Sequence, residues 1–158
     1  TAAMDGAAIG GHLAVVEWLD SNRSEGCTSA AMEGASKDGH LAVIMWLHAN
    51  CSLDCSPMGL KYAAERGHLY VVEWLYANRP ARWRVDGSIL EALDHAAAGG
   101  HVRVMQWLQC NTACSNDPDL GDNEALGVWS MHAMVLAAGN GHLAAVEWLH
   151  CNGLEGCH

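Results

Sequence analysis

The side chains of this chain that could do chemistry are its histidines, cysteines, carboxylates and a short run of arginines, and their spacing decides which chemistry is open to them. Five histidines (His12, His40, His68, His101 and His142) each follow a glycine. A row of imidazoles suggests metal binding. Packed helices, however, lie about 8–10 Å apart, whereas ligands of one zinc each sit about 2 Å from it. Successive histidines of such a row cannot share an ion, so each is expected to be a turn residue bonding local backbone. The seven cysteines are Cys27, Cys51, Cys55, Cys110, Cys114, Cys151 and Cys157. Cys51 with Cys55, and Cys110 with Cys114, have Cys-x₃-Cys spacing, but neither has a clear second pair, which leaves a weak zinc pattern. Asp117, Asp119, Asp122 and Glu124 crowd one stretch, yet their spacing does not fit the EF-hand template.

Arg79, Arg82 and Arg84 surround Trp83. Arginine and tryptophan are enriched where binding energy concentrates, so this stretch reads as a contact for an acidic partner. A solvated loop whose tryptophan folds back onto the core is an equal alternative. No nucleophile–base pair, phosphate-cradling glycine loop or paired acid and base is apparent. The expectation is therefore no enzyme, no cofactor, no bound metal and no small-molecule substrate.

The 158 residues are 51% apolar and 16% charged, a globular composition. Eight Lys and Arg against eighteen Asp and Glu give a net charge of −10, which opposes a phosphate backbone or an anionic bilayer. No nucleic-acid and no membrane partner is expected, and no run of about 18 apolar residues is present to span a bilayer. An odd number of cysteines cannot all pair within one chain, which points to an intracellular, cytoplasmic setting. Secretion stays open, because the chain starts at Thr1 rather than Met.

The elements that would position these groups emerge when the sequence is aligned on Gly-His. GHLAVVEWL (11–19), GHLAVIMWL (39–47), GHLYVVEWL (67–75), GHVRVMQWL (100–108) and GHLAAVEWL (141–149) align without gaps, with starts 28, 28, 33 and 41 residues apart. Gly, His, Trp and the final Leu are identical in all five. Leu13, Val16 and Leu19 follow helical spacing, and Val15 and Trp18 extend the apolar surface around most of the helix. A helix this apolar has to be covered by a neighbour on either side. The tryptophans Trp18, Trp46, Trp74, Trp107 and Trp148 are accordingly expected in the core rather than as a stacking platform. Four residues past each Trp stands Asn22, Asn50, Asn78, Asn111 or Asn152. Asn tolerates left-handed backbone, so each is expected to end its helix.

A second helical segment precedes each Gly-His. Met4, Met32, Leu60, Leu93 and Met134 occupy its core-facing site, and Ala7, Ala35, Ala63, Ala96 and Ala137 fall three residues later. The next position is small in every copy: Ala8, Ser36, Ala64, Ala97 and Ala138. Ser56-Pro57 and Thr28 read as N-caps, and Ser88 with Glu91 as a capping box. Gly11, Gly39, Gly67, Gly100 and Gly141 then stop this helix at positive φ. Cys27, Cys55 and Cys157 each lie nine residues after a repeat Trp, with Trp83 at that place in the third copy. Such recurring connector positions are usually small packed side chains. The unit is helix, Gly-His turn, antiparallel helix and connector. One unit cannot bury its own apolar faces, so the units must stack.

Ala-Ala-x-x-Gly-His followed by Leu-x-x-Val-x-x-Leu resembles the ankyrin repeat, most closely at Ala7–His12 and Ala63–His68. The family's Thr-Pro-Leu-His opening keeps only its Leu, as Met or Leu. Its His position is taken by Asp5, Glu33, Lys61, Asp94 and Val135, so bonds made there by the family's His cannot be assumed. An aliphatic site is Trp throughout, and two periods are 28 rather than 33, which shortens the connectors. The resemblance implies an all-α, ankyrin-type solenoid of about five stacked helix-turn-helix repeats. Their bounds would be about 1–27, 28–55, 56–87, 88–128 and 129–158, in a single domain over 1–158 with an insertion at about 112–128. It further implies a monomeric, non-catalytic module that binds a partner protein on the face of the first helices and connectors. Contacts are expected at the two variable positions before each Gly-His: Ile9 and Gly10, Lys37 and Asp38, Glu65 and Arg66, Ala98 and Gly99, Gly139 and Asn140. The alternative is a regulatory or targeting array of a larger enzyme or signalling protein.

Overall fold

The computed structural model describes residues 1–24, 26–80, 87–113 and 131–153. Among them are ten helices and no strand. The helices pair as five hairpins: α1 (Ala2–Ile9) with α2 (Leu13–Asn22), α3 (Ser29–Lys37) with α4 (Leu41–Asn50), α5 (Pro57–Arg66) with α6 (Leu69–Ala77), α7 (Ser88–Ala98) with α8 (Val102–Ala113), and α9 (Met131–Gly139) with α10 (Leu143–Gly153).

Every hairpin turns on its Gly-His pair. The five glycines have φ between +73° and +80°, a region that costs a residue with a Cβ about 1–2 kcal/mol. Reversing the chain there lets the N–H of each following His donate 2.9 Å to the carbonyl of Ala7, Ala35, Ala63, Ala96 or Ala137. Those carbonyls would otherwise be orphaned at the end of the first helix.

The first helices α1, α3, α5, α7 and α9 pack side by side, each on the next, while the second helices meet at fewer points. Small residues make the close packing possible. Ala35, Ala63, Ala96 and Ala137, together with Ala8, Ser36, Ala64 and Ala97, are fully buried along the first-helix layer. The Ser36 hydroxyl is satisfied in place, donating 2.6 Å to the Met32 carbonyl. Between the layers run Met32, Ile44, Leu47, Leu60, Leu75, Met105 and Leu108, all with no exposure. Each is worth about 1.5–3 kcal/mol of apolar burial.

Helix starts follow the expected caps in two places. The Ala30 N–H donates 3.3 Å to the Thr28 hydroxyl, and the Met58 N–H donates 3.2 Å to that of Ser56, with Pro57 opening α5. The third expectation is corrected. Gly87 rather than Ser88 stands at the N-cap of α7, and Glu91 instead forms an ion pair with Lys61 of α5.

Two further expectations change. Asn78 follows α6 at φ −99°, not in left-handed backbone. The asparagines act through their side-chain amides: Asn22, Asn50, Asn78, Asn111 and Asn152 each donate 2.7–2.9 Å to the carbonyl of the repeat Trp four residues back. At the end of α6 the Trp74 carbonyl also accepts the Asn78 N–H at 3.1 Å, so the amide adds a second bond to a carbonyl of the last turn. The tryptophans lie on the flank of the core rather than inside it. Trp46, Trp74, Trp107 and Trp148 are half-buried against the core, and Trp18 is 61% exposed. A ring this large covers the seam between layers while one edge stays wet.

Candidate partner-binding face

The Gly-His turns form a ladder along one edge of the stack. The rings of His40, His68, His101 and His142 each lie over the glycine of the preceding turn. A Cβ on Gly11 would come within 2.5 Å of the His40 ring, one on Gly39 within 2.6 Å of His68, one on Gly67 within 2.5 Å of His101, and one on Gly100 within 2.6 Å of His142. The glycines are thus required twice, for positive φ and for the neighbouring ring. His101 also hydrogen-bonds the Glu65 backbone, and burial, followed by the nearby His142 and His68, lowers its pKa below the usual imidazole value. Gly100, His101, Gly141 and His142 therefore belong to the same frame as Gly11, His12, Gly39, His40, Gly67 and His68.

Beside this ladder runs the variable pair. Lys37, Asp38, Arg66 and Asn140 are exposed, and Glu65 is half-buried. The pairs of successive repeats touch. A Cβ on Gly99 would meet the Glu65 carbonyl at 2.1 Å, and the Asn140 amide donates 2.8 Å to the carbonyl of Ala98. Three of the expected contact residues also brace the next or preceding repeat. The Glu65 carboxylate lies 3.2 Å from His95 Nδ1, Lys37 Nζ sits 5.8 Å above the Tyr62 ring, and Asn140 makes the bond just given. Ile9 packs on Gly34, where a Cβ would approach to 2.3 Å. Asp38 and Arg66 lie between these braces. His95 and Tyr62 were not singled out from the sequence. They stand six positions before the Gly-His histidine, where the first two repeats carry Gly6 and Gly34 and the last carries Leu136.

The position that holds His in the resembled family has a job here too, done by different groups. Asp5 accepts hydrogen bonds from the Thr28 N–H at 2.8 Å and the Thr28 hydroxyl at 3.0 Å, and Glu33 accepts from the Ser56 hydroxyl at 3.0 Å. Lys61 reaches Glu91. In each case one repeat's first helix ties down the start of the next.

Arg79 folds back on its own helix end. Its guanidinium lies 3.5 Å from the centre of the Tyr76 ring and donates to the Tyr76 carbonyl. Tyr76 in turn packs edge-on against Trp107 at 5.2 Å, and its hydroxyl donates 3.1 Å to the Asn111 carbonyl. Arg82, Trp83 and Arg84 lie outside the described residues, as do Cys114, Cys157 and the acidic stretch with Asp117, Asp119, Asp122 and Glu124. Cys27 and Cys55 pack against the core, as the connector pattern predicts. Burial pushes the Cys51 thiol up to about 12 and that of Cys55 up to about 11. Cys51 shares a side-chain hydrogen bond with Cys27. Thiols held in this form are poor nucleophiles and poor metal ligands at neutral pH.

Among the described residues, no helix is long and apolar enough to cross a membrane. No curated protein matches the chain. Residues 60–109, which run from α5 through α8, match the family profile described as ankyrin repeats (many copies). Ankyrin repeats are generally non-catalytic protein–protein interaction modules. The matched residues are ankyrin repeats, and the same hairpin and Gly-His turn recur on either side of them.

Proposed function

We propose that the chain binds a partner protein along the edge where the first helices end, using Lys37, Asp38, Glu65, Arg66 and Asn140. Arg79, Arg82, Trp83 and Arg84 would supply a second, basic contact on the third connector. No reaction is assigned to this surface. One observation carries the reading: the variable pairs of neighbouring repeats touch, from Glu65 through Gly99 and Ala98 to Asn140. A row held this way is ordered before the partner arrives, which reduces the entropy lost on binding. The internal braces on Lys37, Glu65 and Asn140 serve that order. Asp38 and Arg66, exposed between them, supply charges of both signs, suited to a partner surface with complementary charges.

The test is affinity capture from the source lysate with the wild-type chain and with Asp38→Lys/Arg66→Glu. The urea midpoints of the two chains are compared first, to establish equal folding. The proposal expects a discrete captured protein that the variant loses. Retention of the same protein by the equally folded variant contradicts it.

A further inference from the structure

Two thiols from different repeats meet at a place that neither the turn row nor the variable row uses. Cys27 lies between α2 and α3, and Cys51 follows the last residue of α4. Both are half-buried against the core, both are free thiols, and their side chains hydrogen-bond each other. Each is held from its own side. Next to Cys27, Thr28 is tied to the Asp5 carboxylate through its N–H at 2.8 Å and its hydroxyl at 3.0 Å. The Cys51 N–H donates 2.9 Å to the Leu47 carbonyl at the end of α4.

The other described cysteines are placed differently. Cys55 is buried. Cys110 and Cys151 are exposed at matching places on α8 and α10, each three residues past the repeat Trp. Packed helices about 8–10 Å apart hold such residues beyond the roughly 7 Å between Cα atoms that a disulfide can span.

We propose that Cys27 and Cys51 form a reversible disulfide by exchange with a small-molecule disulfide such as oxidised glutathione, stapling the first connector to the second repeat. The exchange balances in two steps. The Cys27 thiolate attacks one sulfur of the oxidant, which forms a mixed disulfide and releases one small thiolate. Cys51 then gives up its proton to water, and its sulfur attacks Cys27 Sγ and expels the second small thiolate. The two released thiolates take up the two protons that the cysteines lost. Two protein thiols are thereby oxidised and one small disulfide is reduced to two thiols. The order of the steps follows from the surroundings of Cys51. Burial holds its pKa up at about 12, helped by the hydrogen bond and charge of Cys27 and then by Asp20. Capping Cys27 removes its charge and its S–H, and with them two of the influences that keep Cys51 protonated. In a stack whose stability is a sum of repeats and neighbouring interfaces, a link across one junction acts on that junction. This one holds the connector that carries the α3 N-cap, at the end of α3 opposite Lys37 and Asp38.

Treatment with oxidised glutathione tests the proposal, on the folded wild-type chain and on the same chain in urea. The products are digested without reduction and mapped by mass spectrometry, with cleavage before Asp54 to separate Cys51 from Cys55. The folded chain should yield one linked pair, Cys27 with Cys51, while the exposed Cys110 and Cys151 carry glutathione. In urea the pairing should scatter over the cysteines. The wild-type map decides the pairing without any variant. Cys51→Ser, first checked for wild-type helical signal, should keep glutathione on Cys27. The linked wild type should have a higher urea midpoint than identically treated Cys51→Ser, and dithiothreitol should abolish the difference. Glutathione on both Cys27 and Cys51, or both left free while Cys110 and Cys151 have reacted, overturns the proposal. So does a link from Cys27 to Cys55, the same pair formed equally in urea, or a linked chain with no rise in midpoint.

Discussion

Two rows of residues run side by side along this molecule, and they obey different rules. The Gly-His row repeats the same two letters five times, with φ values that agree within a few degrees and rings that lie on the glycines before them. The row just ahead of it never repeats a pair: Ile9 and Gly10, Lys37 and Asp38, Glu65 and Arg66, Ala98 and Gly99, Gly139 and Asn140. Constancy follows geometric necessity, since all five glycines hold positive φ and Gly11, Gly39, Gly67 and Gly100 also lie under a ring. Variety is allowed one residue earlier, where the helix is ending and side chains reach solvent. The division is not complete. Glu65, Lys37 and Asn140 make bonds or contacts to the neighbouring repeat, so part of the variable row also holds the frame.

The comparison can be broken most severely through the core that supports both rows. Leu47→Ala removes a fully buried side chain between the layers and is expected to cost about 3 kcal/mol in urea unfolding, within the usual range of about 2–5 for such changes. A cost below about 1 kcal/mol would mean that the layers repack freely and do not fix the turns. Trp46→Ala sharpens the boundary of the frame. A core tryptophan would cost about 3–5 kcal/mol, but the half-buried position of Trp46 lowers the expectation to about 2 kcal/mol.

Acid should loosen the constant row through His101. Burial, with the neighbouring His142 and His68, favours its neutral form in the folded state. As pH falls below the ordinary histidine value of about 6.5, the unfolded chain takes up a proton that the folded chain resists, so stability present above that pH is progressively lost. The urea midpoint should drop between neutral and mildly acidic pH, and the drop should shrink in His101→Asn. An equal drop in the variant would assign the pH dependence to other groups.

Much of the fold could be read from the sequence because its signals are local. Gly-His marks the turn, Ser56-Pro57 marks a helix start, and the alanines before Gly-His mark close helix contact. Each works through a residue's own backbone preference or size. What could not be read depends on the neighbouring repeat. That Trp18 is exposed while Trp46 is half-covered follows from which repeat lies before it, which identical letters cannot tell. The asparagines were expected to end their helices through left-handed backbone, but α8 runs past Asn111 to Ala113, and what they share is the side-chain amide bond. An amide reaching the carbonyl four residues back and a left-handed residue leave the same mark in the sequence. The candidate site was legible as a set of positions, whereas its braces, Glu65 to His95 and Lys37 to Tyr62, join residues 30 and 25 apart. Such pairs appear only once the repeats are stacked. Ser88 failed as a cap because Gly87, in left-handed backbone, already turns the chain into α7.

The claim that one row holds shape and the other meets a partner is tested most directly at the two adjacent residues where the rows meet. Urea unfolding of Gly67→Ala should lose about 2 kcal/mol or more, because φ is +76° and the new Cβ would run into the His101 ring. Arg66→Ala, on the exposed residue next to it, should stay within about 0.5 kcal/mol of wild type. Comparable losses at both positions would contradict the division.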